Sequence, residues 1–346
     1  MIPRLSPGQT CAALVVVAGA MTLLPAWRSE HAPKAGSAGP KRTRVGLVFD
    51  VGGRGDKSFN DAAYAGLLRA ERDLDVEASF LEPTGSEDRE AAMRLFAARG
   101  VDLVIGVGFI FSSDVDAVAH DYPDVHFACV DYAPGPKGIP PNVEGLAFRE
   151  EEGSFLVGAV AGLVSSTHHV GFVGGMTIPL IRKFEAGFRA GAVAACPSCR
   201  VHVAYAGATP DAFKDPSKGK ALAISEISAG ADVLFHASGA TGHGVFEGAH
   251  DAHVWAIGVD ADQYDEMPDT VLTSMIKRGD VAVFDAIQAV AQGRFVPGMH
   301  VFGLKEEGID YVHEGPHAVH LPKDVVLKVA DLRADVVAGR LVVPSE

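Results

Sequence analysis

Val45-Gly-Leu-Val-Phe-Asp-Val-Gly-Gly-Arg-Gly-Asp-Lys-Ser-Phe-Asn60 is the stretch on which the fold turns. An aliphatic run, Val45–Phe49, gives way to glycines and then to small and apolar residues at helical spacing over Asn60–Arg72. Strand, glycine-rich turn and helix open a βαβ unit, and in open α/β sheets ligands bind at such strand ends. Lys57-Ser58 after glycines suggests a phosphate cradle, but Asp56 stands before the lysine and its carboxylate repels phosphate. The dinucleotide fingerprint fails as well, because Gly52, Gly53 and Gly55 have the wrong spacing and Gly106-Val-Gly108 meets Phe111 where a third glycine belongs. Ser58 through Asp61 reads as a capping box at the helix start. Phe59, Ala62, Ala63, Gly66, Leu67 and Ala70 form a buried stripe, leaving Asn60 and Tyr64 one turn apart on another face. That face is either ordinary half-exposed surface or a wall of the cleft, where an amide beside an aromatic plane suits a heterocyclic base or a sugar.

The same alternation continues outward. Strand-like runs at 78–81, 103–106, 125–130 and 143–147 are separated by helical patterns at 89–99 and 113–120, completing one α/β lobe. After a helix over 151–165 the rhythm restarts, with strands at 170–173, 201–205, 233–235 and 254–257 and helices at 180–195, 218–229 and 244–252. The tail adds a strand at 271–274, a helix at 281–291, short strands near Val301 and Tyr311, and a helix at 323–338. The expected division is 1–43 as export segment and linker, 44–148 with 271–300 as the first lobe, and 149–270 with 301–346 as the second.

The chain has 346 residues, 48% apolar and 21% charged, which suits a globular body with two cores. Acidic residues outnumber basic ones by 44 to 30 without any lysine/arginine stripe, so nucleic-acid binding is not expected. Near the N-terminus, Arg4 precedes an apolar run from Cys11 to Trp27 and a polar stretch to Arg44, the pattern of an export signal or an uncleaved anchor. Cys11 lies before that run rather than after it, so no acylation site is evident and a lipid anchor is doubtful. Cys196-Pro-Ser-Cys199 follows a helix C-terminus, where the dipole disfavours a thiolate, and reads as a structural clip or as two quiet thiols rather than a redox pair. His243, Glu247 and His250, and the later His313, His317 and His320, lack a recognised metal spacing, so neither a metal nor a cofactor is expected.

Polar and glycine-rich pieces recur at predicted strand ends: Gly106-Val-Gly108-Phe109, Val130-Asp131, Gly239-Ala-Thr-Gly242, Gly258-Val-Asp260 and Ser274-Met-Ile-Lys277. Asp260 and Lys277 read either as a structural ion pair or as groups for a diol, since a carboxylate accepts and an ammonium donates. With Asp56-Lys-Ser-Phe-Asn60, Gly171-Phe-Val-Gly-Gly-Met176 and Phe184-Glu-Ala-Gly-Phe188, these motifs resemble the basic membrane protein family of solute-binding lipoproteins, which includes a purine nucleoside receptor. The resemblance covers nearly everything after Arg44. It implies a type I periplasmic-binding-protein fold, two Rossmann-like lobes closing on a ligand that an ATP-driven importer receives. Carried onto this chain, it assigns polar contacts to Asn60 and Asp131, ribose contacts to Asp260 and Lys277, and aromatic stacking to Tyr64 and Phe213; Asp50, Gly108, Phe109 and Gly239 complete the candidate ligand site. Ala212-Phe-Lys-Asp215 carries the family's second-lobe phenylalanine, with loop packing as its plain alternative.

The expectation is therefore a monomeric, extracytoplasmic solute receptor of an ABC importer that binds a nucleoside and performs no covalent chemistry, since no nucleophile, base and orienting acid occur as a set. A sensor for a membrane signalling partner is one alternative. A metal-assisted nucleoside hydrolase built on Asp50 and Asp56 is another, although calcium needs more clustered carboxylates than these.

Overall fold

The computed structural model of the chain describes residues 42–83 and 88–346; the N-terminal segment read as an export signal lies outside them. In chain order the first half runs β1 (Thr43–Val48), α1 (Phe59–Asp73), β2 (Val76–Leu81), α2 (Asp88–Ala98), β3 (Leu103–Val107), α3 (Ser112–Asp121), β4 (His126–Val130) and β5 (Val143–Phe148). The second half runs α4 (Glu150–Val164), β6 (His169–Met176), α5 (Pro179–Ala195), β7 (Arg200–Gly207), α6 (Pro216–Ser228), β8 (Val233–Ala237), α7 (Gly242–Asp251), β9 (Trp255–Gly258) and β10 (Val271–Lys277). The tail contributes α8 (Gly279–Ala291), β11 (Gly298–Phe302), β12 (Ile309–Tyr311) and α9 (Lys323–Val337).

These elements build two six-stranded sheets, ordered β11-β5-β4-β3-β1-β2 and β12-β10-β9-β8-β6-β7. All pairings are parallel except β10 with β12. Helices cover both faces, so β3 and β8 are buried along their whole length, β3 as an unbroken apolar run and β8 with the buried His236 near its end. The chain passes between the sheets three times, after Phe148, after Lys277 and after Phe302. Here the structure corrects the expected division: β10 belongs to the second sheet, beside β9, and only α8 and β11 return to the first. Strand pairing decides this, and a lone strand pattern such as Val271–Ser274 carries no mark of the neighbour it takes.

Around α4 and α5 the packing is unusually close. Gly158 and Gly162 of α4 lie against the backbone of Phe188 and Ala192 in α5, Gly187 and Gly191 of α5 against that of Glu151 and Phe155 in α4, and a methyl group added at Gly191 would lie 1.9 Å from the Phe155 carbonyl oxygen, one at Gly158 2.2 Å from that of Phe188. The two backbones touch, which only glycine permits. Just beyond α5, Cys196 and Cys199 form a disulfide, resolving the alternatives left by the sequence in favour of the clip. Cys129 is a free, buried thiol. Gly191→Ala is expected to destabilise the fold by at least about 2 kcal/mol, because backbone atoms cannot yield as side chains do; urea unfolding followed by circular dichroism measures it.

Candidate functional site

The register Val48↔Gly106 between β1 and β3 sets the loops after those strands side by side. Gly108, with φ +109°, receives the Asp50 carboxylate so closely that a Cβ there would sit 2.1 Å from Asp50 Oδ2. Asp50 is half-buried, and its backbone N–H donates to Asn60 Oδ1 at 3.0 Å. Burial pushes its carboxyl up to about 7, partly countered by the Val51 amide.

Asp56, not Ser58, caps α1. Its carboxylate accepts from the amides of Ser58, Asn60 and Asp61 at 3.0, 2.9 and 3.2 Å, and from Asn60 Nδ2 at 2.9 Å. Asp61 instead accepts from the amides of Gly55 and Lys57. The expected capping box is thus overturned: a carboxylate two residues upstream reaches the helix amides first, and the Ser58 hydroxyl makes no capping bond.

Lys277 lies at the end of β10 and is 2% exposed. Its ammonium stands 2.6 Å from Asp131 Oδ1 and 3.1 Å from Glu150 Oε1, with the rings of Phe148, Phe59 and Phe184 around it. Burial favours the neutral amine, but Asp131, Glu150 and Asp260 outweigh it and hold the lysine charged, above its ordinary range. Burial likewise raises Asp131, a rise that Lys277 limits. Asp260 does not pair directly with Lys277; its Oδ2 accepts from Ser58 Oγ at 2.7 Å, and its backbone carbonyl from the Lys277 amide at 2.9 Å. Asp131 and Asp260 both hold left-handed backbone, φ +60° and +65°, a strained conformation found where surrounding structure aims a side chain.

These groups line a narrow pocket between the sheets. Asp50, Asn60, Phe109, Asp131, Phe213, Gly239, Asp260 and Lys277, eight of the ten residues singled out from the sequence, line it. Phe109 and Phe213 approach from opposite lobes edge to face, 6.5 Å between centroids. Gly108 stands behind Asp50 rather than in the wall. Tyr64 is displaced from its expected stacking place: its ring packs against Phe49 and Phe80 at 5.9 and 5.4 Å, under the Arg54 guanidinium. Helical spacing put Tyr64 on the face of Asn60 but not at its depth. Leu180, Ile181 and Phe184 from the first turns of α5 complete the apolar wall, and Glu150 anchors Lys277; the sequence reading placed none of the four in the site. Glu150 also binds Lys183 Nζ at 3.1 Å. Among the described residues, no three histidine, cysteine or acidic side chains gather as a metal ion requires.

The model of the Bmp family, described as ABC transporter substrate-binding protein PnrA-like, matches residues 43–335. This chain belongs to that family. Relatives of the Bmp protein include the CD4+ T-cell-stimulating antigen of Listeria monocytogenes, 33% identical over 87% of this chain and 88% of that one. The ABC transporter nucleoside-binding protein BmpA of Lactococcus lactis is 28% identical over 96% of this chain and 97% of its own length. A solute-binding protein of an ABC transporter system from Aeropyrum pernix superposes with a TM-score of 0.76 at 29% identity, covering 88% of this chain and 94% of that one. The fold is the type I periplasmic-binding-protein fold. A Pyrococcus abyssi relative, 35% identical over 78% of this chain and 69% of that protein, is named a lipoprotein.

Because the Asp50 carboxyl is raised from 3.8 to about 7, the wild-type fold bears the cost of an ionised buried acid above pH 7 and is relieved of it as pH falls toward 4. Asp50→Asn keeps an acceptor for the Val51 amide without the charge. Ligand-free Asp50→Asn should therefore melt above wild type at pH 7.5, and the gap should shrink progressively to pH 4; thermal unfolding across that range reads it.

Proposed function

We propose that this Bmp-family protein binds a nucleoside in the interlobe cavity, outside the cytoplasmic membrane, and hands it to the permease of an ABC importer without altering it. The observation that carries this reading is the meeting of two aromatic rings from opposite lobes, Phe109 and Phe213, with a polar end at Asp260 and Lys277. A planar base stacked on one of these rings gains about 1–3 kcal/mol, and a diol matches an acceptor beside a donor.

The remaining hydrogen-bond capacity fits as well. Lys277 has two carboxylates against it and keeps a third N–H direction for the ligand. Asp260 has one oxygen engaged by Ser58 and one left for a hydroxyl. Asn60 gives its carbonyl to the Asp50 amide and one N–H to Asp56, leaving a second N–H for the base. A relative named as nucleoside-binding and others named as lipoproteins support the ligand class and a place on the outer face of the membrane. The buried carboxylates Asp56, Asp131 and Asp260 disfavour a phosphorylated ligand, since a dianion would enter a low-dielectric space already rich in negative charge.

Isothermal titration with a panel of nucleosides, nucleotides, sugars and amino acids tests this. A nucleoside should bind, its 5′-monophosphate at least about a hundredfold more weakly, and Phe213→Ala should weaken the nucleoside about ten- to a hundredfold. Heat from sugars or amino acids alone would overturn the reading, and release of free base would revive the hydrolase.

A further inference from the structure

We propose that the Ser58 hydroxyl is the latch that holds the two lobes together, acting from behind the cavity wall rather than on the ligand. Ser58 is fully buried at the start of α1, and its Oγ donates to Asp260 Oδ2 at 2.7 Å across 202 residues of sequence, from the first lobe to the second. The Val259 carbonyl, 3.5 Å away, lies at the limit for a second acceptor. Ser58 does not line the cavity, whereas its neighbours Asp56, Phe59 and Asn60 do.

A serine at a helix N-cap ordinarily spends its side chain on the helix amides. Here Asp56 takes those amides, including that of Ser58 itself, so the hydroxyl is free to cross the cleft. Lys57 adopts φ +53°, a left-handed turn that brings Ser58 round toward the second lobe. The acceptor is set as firmly, since Asp260 is left-handed and its carbonyl is held by the Lys277 amide. A hydroxyl donating to a buried carboxylate is among the stronger hydrogen bonds. It forms only when the lobes meet, and when they part both groups return to water. Ser58 is thus a positioning residue: it aims the Asp260 carboxylate and favours the closed form, so it governs how long a ligand stays rather than how fast it arrives.

The test follows lobe closure directly in the full chain, with spin labels at the exposed positions Lys137→Cys and Lys218→Cys and pulsed-EPR distances between them. Ligand-free wild type should populate a closed distance. Ser58→Ala should cut the closed-to-open ratio about tenfold, Asp260→Ala should match it, and the double variant should go no further. With inosine as probe, Ser58→Ala should raise the dissociation rate about tenfold at an unchanged association rate. Additive effects of the two substitutions, a wild-type distance distribution in Ser58→Ala, or a ligand-free wild type without a closed population overturns the latch. The inosine arm rests on the nucleoside reading; if wild type ignores inosine, that reading fails while the ligand-free distances still decide the latch.

Discussion

A buried ammonium must find carboxylates or lose its charge, and Lys277 is the ammonium around which this molecule is arranged. Breaking such a pair by removing one partner typically costs about 3–5 kcal/mol, since the survivor is left charged and unsolvated. Its partners therefore fix geometry. Lys277 ends β10 at one crossing between the sheets, Glu150 begins α4 at another, and Asp131 follows β4 in the first lobe. One cation thus ties two of the three crossings to the first-lobe loop that lines the cavity. The three phenylalanines around it exclude water and keep the interaction strong.

The two lobes repeat one plan. Asp131 follows β4 and Asp260 follows β9, both left-handed; Gly108 follows β3 and Gly239 comes two residues after β8, both at positive φ. The sheets have matching strand orders. The lobes use these equivalent places differently. In the first, the glycine makes room for Asp50, and the aspartate binds the lysine. In the second, the glycine lies against Phe213 and in the cavity wall, and the aspartate meets the opposite lobe. A common scaffold thus carries unlike ends.

Strand-and-helix order was legible because each buried strand is apolar enough to stand out between helical patterns, and the strand-end residues were legible because that edge is where such sheets bind ligands. What escaped the sequence was partnership. Glu150 sits among three glutamates at a helix start, where acidic residues commonly answer the helix dipole, and nothing local shows that its carboxylate turns inward. Leu180, Ile181 and Phe184 fell within the helix expected over 180–195 but outside the candidate site, because a cavity wall and a core look alike in composition. Ser58 carried a capping signature that Asp56 satisfied instead, and Tyr64 shares the helical face of Asn60 yet packs beyond the reach of the cavity.

The glycine contact between α4 and α5 bears on how the molecule moves. Two helices whose backbones touch have no side-chain layer to slide or compress, so they behave as one stiff slab. Glu150 stands at one corner of that slab and Leu180, Ile181 and Phe184 at another. The lysine's anchor and the apolar wall therefore travel as a unit, and compliance is left to the crossings between the lobes. Such a receptor gauges a solute by the angle at which a rigid jaw comes to rest, and a misfit is felt by the whole lobe instead of being absorbed beside the ligand.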